Sequence, residues 1–469
     1  MGCCISLAMA SMVLPTLGKS HTDKVLLLYK ILMAFTKIRQ EIALANASAI
    51  MQCGQHTILW RHLRSAILHL DATTFPSDSP FTLYGIGFRS SCLALLSVGQ
   101  DPLTVLRDAM DSCYTSQRDI VFAILGLLPP VLSGKIQPQY LASNRTVFQD
   151  AVLAFITCTG SLDVLNFSHL SWIPDWSDPR SSLGWIGLRC SGQSTTDCSH
   201  VAPGMLATSG VTFDTVVAVS DTLPDDADVA LSAIQEVWTE SPSDDHTYPN
   251  GDSLPAACAW VLTGGEVNDY WRMHTDYPTL ADAQVAFLRP LQDQYANLDP
   301  QLHESISVTG SVIFKTAKGY FGKTYSTVMP GDTLAVLLGS SMPTILRKQR
   351  DDQHLYVGCA YVHGIMAAEA LLGPLPCGWK AVARHDGRYG DYQQCFVDPA
   401  DPSSPAEDPR LGGLPGEWTR TVAPDRLWAG KKVDAFRNTA TGQILYSDPR
   451  MLPDALKARG VPLETFKLI

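Results

Sequence analysis

Apolar residues recur at helical spacing over residues 25–35, and an alanine-rich run carries the pattern on through 38–49. The same period returns at 103–110 and at 120–127, on either side of Asp111-Ser112, and predicts two more helices. Pro129-Pro130 stops the second, because proline lacks an amide donor and restricts the residue before it. A further amphipathic helix is predicted over 140–157, with Val147, Ala151, Ala154 and Phe155 on one face.

The pattern then changes period. Alternation over 206–220 predicts a strand, after which acidic and small residues accumulate from 221 to 252 and read as an exposed, variable connection. A helical insert is expected over 256–291. A β-rich unit follows over 308–362, its strands at 311–316 and 333–338 set apart by glycine and proline turns. Residues 398–416, dense in Asp, Pro, Gly and Ser, read as a second loop or linker, and no internal repeat of solenoid length is apparent. The expected fold class is α+β, with a helical first half and a β-rich second half carrying the insert. The expected segments are 1–70, a helical region 71–200, a β-rich region 201–395, and a linker with C-terminal segment 396–469.

Composition narrows the class. Apolar residues make up 46% and charged residues 17%, which describes a globular chain with a large core rather than a disordered one. A net charge of −11 opposes general attraction to nucleic-acid phosphates, and the densest basic cluster, Arg347-Lys348-Gln349-Arg350, falls at a hairpin tip. The 12 cysteines include no Cys-x-x-Cys pair, so reduced thiols and a cytoplasmic location are the simpler expectation. No apolar run reaches the length of a spanning helix, and nucleic acid is not an expected partner.

Several motifs invite chemistry and are explained more simply by structure. Residues 317–324, Ala-Lys-Gly-Tyr-Phe-Gly-Lys-Thr, fit a permissive phosphate loop, but no helix follows to face the phosphates, so a hairpin turn is expected. His363 and Glu369 stand six residues apart on different faces of a helix, unlike a metal-binding pair, and His363 beside Gly364 reads as bonded to a turn. Trp172, Pro174, Asp175 and Trp176 read as a packed corner in which Asp175 caps a turn, in preference to an aromatic recognition surface. Arg118 and Asp119 open a helix, with Asp119 at the favourable end of its dipole. No nucleophile elbow, dinucleotide fingerprint or zinc-binding cysteine spacing is present. Catalytic residues are therefore not identified, and no cofactor or metal is expected.

A set of ordered segments carries a family likeness. Gly331-Asp332, the apolar run 334–338, Pro343 to Arg347, and Tyr361-Val362-His363-Gly364-Ile365-Met366 come in that order. Earlier lie Gln40-Glu41-Ile42-Ala43-Leu44-Ala45, then Cys53-Gly54 and Trp60, the run 118–127 opening Arg118-Asp119, and Ser171-Trp172-Ile173-Pro174-Asp175-Trp176. Asp448-Pro449-Arg450 and residues 456–461 close the set. Together they resemble the fungal heterokaryon-incompatibility (HET) family over about residues 36–469, chiefly the region downstream of the HET domain proper.

The resemblance implies a role in non-self recognition and regulated cell death, with a protein partner. It also implies a fold related to Toll/interleukin-receptor (TIR) domains at the front, of which 1–70 would be a remnant, and through that kinship a possible NAD-cleaving activity. The sequence departs from the pattern there. The Tyr-x-Ala-Leu-Ser-Tyr-x-Trp-Gly and Trp-Ile-Asp-Ala-x-Cys-Ile-Asn-Gln segments of full-length members are not found, and no Trp precedes Gln40. The expectation is an N-terminally truncated member, regulatory or inactive, for which NAD cleavage is disfavoured. The alternatives are a small-molecule tailoring enzyme of specialised metabolism, with Trp172, Trp176 and His363 lining a pocket, and a lipid-anchored binding module. The last rests on Met1-Gly2-Cys3-Cys4-Ile5-Ser6, in which Gly2 fits a myristoylation pattern and Cys3 or Cys4 could take palmitate.

Overall fold

The computed structural model describes residues 5–6, 48–53, 56–62, 101–110, 114, 116–177, 189–202, 204–224, 236–237, 247–265, 281, 310–385, 392–427 and 432–469. The chain divides into two compact units, Met1–Val147 and Phe148–Ile469.

The first unit holds a small sheet of β1 (Ile5–Ser6), β2 (Ile50–Cys53) and β3 (His56–Leu59), with β1 parallel to β2 and β2 antiparallel to β3. Its helices among the described residues are short: α1 (Pro102–Met110), α2 (Asp119–Phe122) and α3 (Pro130–Ser133). Asp101 caps α1 by accepting from the Thr104 amide at 3.0 Å, and Val105 and Leu106 bury its inner face. The expected helix over 120–127 stops after one turn. Beyond Phe122 the amides of Ile124, Leu125 and Leu127 reach back only three residues, to Val121, Phe122 and Ile124, so the apolar run continues as tight turns. Pro130 starts α3 at its first position, where a missing amide costs nothing.

The expectation of a helical first half is therefore corrected. Among the described residues only α4 (Asn144–Thr159) is a long helix. Periodicity alone cannot separate a helix from a short apolar run folded as turns, and Gly126 and the prolines divide these runs. Gly160 ends α4 at a φ of 67°, its amide donating to the Ile156 carbonyl at 2.9 Å.

The second unit is built on a ring of strands. β4 (Cys198–Ala202) leads into β5 (Met205–Val219), and then come β6 (Val312–Thr316), β7 (Phe321–Thr324), β8 (Thr333–Leu337), β9 (Thr344–Lys348), β10 (Gln353–Cys359), β11 (Tyr361–Val362) and, at the end of the chain, β18 (Glu464–Leu468). β5 pairs with β18 from Leu206 to Gly210 and with β8 from Gly210 to Thr215. β8 pairs with β9, β9 with β10, and β10 runs parallel to β18. The order β5-β18-β10-β9-β8 thus returns to β5 and closes a five-stranded barrel.

Two register shifts, at Thr212/Asp214 and Val216/Ala218, bend β5 enough for this closure. A side chain at Gly210, where β5 passes from one partner to the next, would put Cβ 2.6 Å from the Val336 carbonyl. The barrel core holds Val211, Leu334, Val336, Ile345 and Val357, each at 2% exposure or less. Beyond the ring, the far end of β5 pairs with β6, which continues the sheet through β7 to β11.

Helix α5 (Leu254–Leu262) is buried along most of its length. The Ser253 side chain accepts from the Ala256 amide at 3.3 Å at its start, and the Lys323 ammonium of β7 donates to the Leu262 carbonyl at 3.0 Å at its end. After α6 (Glu369–Leu372), two three-stranded meanders follow. The first is β12 (Lys380–His385), β13 (Tyr392–Asp398) and β14 (Asp401–Ala406); the second is β15 (Trp418–Pro424), β16 (Lys432–Asn438) and β17 (Ile444–Leu445). β14 stands where composition predicts a loop. Helix α7 (Pro453–Ala458) then leads to β18. No helix among the described residues is long and apolar enough to cross a membrane.

Burial pushes the Glu369 carboxyl, at the start of α6, up to about 7; the amide bonds it accepts and the charge of Arg410 oppose this, and Asp408 adds to it. A carboxyl raised above its unfolded value stabilises the fold fully below the unfolded value of 4.5, and that contribution is lost as pH rises through 7. The span corresponds to on the order of 3 kcal/mol. Glu369→Gln is expected to flatten thermal stability between pH 5 and 8, and an unchanged pH profile in the variant would rule this titration out.

Candidate functional site

Among the described residues, a polar and aromatic constellation forms where the barrel's extension meets α5. Thr247 and Ser253 form an isolated bridge, and between them the chain folds tightly, with the Gly251 amide donating to the Tyr248 carbonyl at 2.8 Å. Asn250 and Asp252 fix this turn, the Asp252 amide donating to Asn250 Oδ1 at 3.0 Å. From it Asp252 reaches His363, just after β11, with Oδ2 at 2.7 Å from Nε2. Asn250 Nδ2 lies 2.8 Å from the same carboxylate oxygen and 3.1 Å from Nε2, while the Tyr361 hydroxyl lies 3.5 Å from Nδ1.

The Asp252 carboxylate can only accept, so Nε2 carries a proton and donates to it, while Nδ1 faces the Tyr361 hydroxyl. Trp260 of α5 stacks on the imidazole at 5.5 Å and 11°, and Tyr248 tilts against it at 5.4 Å. The Tyr248 hydroxyl donates to the His363 carbonyl at 3.1 Å and accepts from the Phe321 amide at 2.8 Å; burial pushes this phenol up. Gly364 adopts a φ of 89°, and a Cβ there would meet Tyr320 at 3.1 Å. Both ring nitrogens of His363 are committed, so the arrangement works as a latch that ties the 247–253 turn and α5 to β11.

The hydrogen bond from His363 holds the Asp252 carboxyl below its ordinary value, against the opposing effect of burial. A carboxyl lowered on folding stabilises above its unfolded value and loses that contribution as pH falls through the folded one. His363→Ala is expected to cost about 2 kcal/mol and to raise amide exchange over 247–265, whereas His363→Phe retains the stack and costs less. Unchanged exchange in this segment of the alanine variant would refute the latch.

The other signature residues fall into separate structural roles. Asp332, 2% exposed, receives Arg347 Nε at 2.7 Å and Nη2 at 2.8 Å, together with the Met329 amide at 2.8 Å, while Gly331 turns the chain at a φ of 92°. Arg347 Nη2 also donates to the Thr327 carbonyl. The Gly-Asp and Pro-x-x-Leu-Arg elements are therefore two halves of one forked ion pair. Trp172 and Trp176 are buried, at 0% and 1% exposure. The Trp172 indole donates to the Gly204 carbonyl at 2.9 Å, Trp176 packs on Phe148 at 5.0 Å, and Asp175 Oδ1 accepts from the Ser177 amide at 3.1 Å after Pro174. These tryptophans are thus packed inside the second unit and not on an open surface. In the first unit, Asp119 Oδ2 accepts from the Ser116 amide at 3.1 Å, and Arg118 donates to the Tyr140 carbonyl.

The phosphate-loop match is a β6–β7 hairpin in which the Lys318 amide donates to Asp214 Oδ2 at 2.8 Å. Burial pushes the Cys359 thiol up to about 12 and raises Cys190 as well, which keeps both as unreactive thiols. No group of three or more metal-ligating side chains occurs among the described residues. Gly2, Cys3, Cys4, Gln40 and Glu41 lie outside the described residues.

Sequence reasoning missed the partners of His363. Asp252 and Asn250 fall in the stretch taken for a variable connection, and Trp260 in a helix with no polar signal. The one available cue was Pro249-Asn250-Gly251-Asp252, a turn-forming run too common to mark a site.

Residues 294–372 match the family model of the Het-6 beta-barrel domain. No curated protein and no solved structure matches the chain. The matched interval holds β8, β9 and β10 of the ring together with His363, whereas β5 and β18, which close the ring, lie outside it.

Proposed function

We propose that the chain serves fungal non-self recognition, acting in regulated cell death after hyphal fusion as a recognition or regulatory protein; the Het-6 match, which points to a heterokaryon-incompatibility-related family, supports this reading. One observation supports this reading: within the matched region three polar residues of the sequence resemblance, Asp332, Arg347 and His363, are spent on an ion pair and a latch that shape the barrel. A scaffold of this kind presents surfaces and discriminates partners through them.

Expression of the chain in otherwise isogenic hyphae tests the proposal. Normal growth of the expressing strain, with death confined to fusion cells formed with particular partner strains, is the expected result. Viable fusions with every strain tried would defeat the recognition role. Killing by the chain alone, together with NAD consumption by the purified protein, would make it an executor instead.

A further inference from the structure

The two meanders after the barrel are built alike. Each opens Leu-Pro-x-x-Trp, as Leu375-Pro376-Cys377-Gly378-Trp379 and Leu414-Pro415-Gly416-Glu417-Trp418. In both, the Trp amide donates to the Pro carbonyl, at 3.0 Å in the first and 2.8 Å in the second. Each continues as a three-stranded antiparallel sheet whose middle strand carries a phenylalanine, Phe396 or Phe436. Phe396 pairs with Ala381 and Phe436 with Arg420, in each case the second residue after the tryptophan. On their other side they pair with Ala406 and Leu445 of the third strand. A guanidinium lies over each ring, Arg410 at 5.9 Å and Arg420 at 5.1 Å.

Each copy then ends in Asp-Pro-Arg, and the two ends have the same internal geometry. The Arg410 amide and Nε donate to Asp408 Oδ1 at 3.0 and 2.8 Å, and Nη2 donates to Oδ2 at 2.6 Å. The Arg450 amide and Nε donate to Asp448 Oδ1 at 2.8 and 3.0 Å, and Nη2 donates to Oδ2 at 2.7 Å. A buried apolar residue follows each arginine, Leu411 and Met451. The tryptophan, phenylalanine and Asp-Pro-Arg correspondences keep one order and one spacing apart from a single extra residue between the first two strands of the second copy, whereas the third-strand partner of the phenylalanine comes one residue sooner there and the two ring-covering arginines stand at different positions of their modules.

We infer that residues 375–451 are a tandem duplication of one β-meander module, and that each copy is fastened by its own Asp-Pro-Arg clamp. A sheet of this size buries too little to hold itself in place. The first contains Val382, Ala383 and Val397 as buried side chains, the second Ala423, Ala435 and Phe436. The clamp supplies the missing constraint. With its Nε edge held by the aspartate, Arg410 donates from Nη1 to the Gly373 carbonyl and from Nη2 to the Ala367 carbonyl, both at 2.6 Å, and so binds the first copy to the chain flanking α6. Arg450 reaches back to the Gly412 carbonyl and to Glu407 at 3.1 Å, fixing the second copy to the end of the first. Only a forked guanidinium can make these bonds together, so lysine cannot substitute.

The duplication is faint in the sequence because its matching residues are few and the extra residue breaks the interval between them. Hydrogen exchange on the full chain tests it. Arg410→Lys is expected to raise exchange over 380–398 by about tenfold and leave 418–438 nearly unchanged, and Arg450→Lys to do the reverse. Trp379→Phe and Trp418→Phe, milder changes at the other end of each copy, should repeat that division. Equal loosening of both sheets by either arginine change, or no loosening by both, would overturn the inference.

Discussion

Removal of residues 464–469 is expected to open the barrel and abolish cooperative unfolding of the second unit. Among the described residues, β18 is the strand that joins β5 to β10, and the amide of Ile469 extends its ladder to the His354 carbonyl at 3.0 Å. Its side chains Phe466 and Leu468 are buried, at 2% and 0% exposure. Losing them forfeits about 5 kcal/mol of burial before the unpaired edges of β5 and β10 are counted, and a typical domain is stable by only about 5–15 kcal/mol. Phe466→Ala alone should cost about 3–5 kcal/mol. By contrast Glu464→Gln, at an exposed position whose carboxylate accepts from the Thr212 amide, should cost under about 1 kcal/mol. Chemical denaturation monitored by tryptophan fluorescence reads all three. A truncated protein with the full-length midpoint would refute the closed ring.

Asp332→Ala is expected to destabilise the second unit by about 3–4 kcal/mol, because it leaves the Arg347 guanidinium and the Met329 amide without their shared acceptor. Arg347 is 24% exposed in its side chain, so water relieves part of its loss, whereas the carboxylate is almost fully enclosed. Arg347→Met should therefore be the more damaging of the two, since it strands the buried charge. In the double variant both charges are gone, and the cost should fall below the sum of the single changes by about 2 kcal/mol. Additive effects in this cycle would show that the two residues do not act as a pair.

These expectations separate what was legible early from what was not. Gly331-Asp332 and Arg347 were recognisable as signature residues, yet nothing in the chain said that one accepts from the other across 15 positions. The β-rich character of 308–362 was readable because strands 312–316 and 333–337 are short, apolar and bounded by glycine and proline. Helices in the first half are fewer than the periodicity predicts among the described residues, since 120–127 has the right apolar residues but past its first turn the amides of Ile124, Leu125 and Leu127 reach back only three residues. The loop expected at 398–416 gave way in part to β14, where pairing with β13 outweighs the poor strand propensity of Asp, Pro and Ser.

The sequence by itself determined the local punctuation: where chains turn, which runs are apolar, and the ordered signature that carries the family likeness. These depend on residues near one another, whose spacing is directly visible. Only the tertiary structure decided that β5 and β18, more than two hundred residues apart, close one barrel, that Asp252 of an apparently variable stretch latches His363, and that the Asp-Pro-Arg ends are clamps. Each of these joins groups brought together by the closing of the chain, and a pairing that long has no period or motif to announce it.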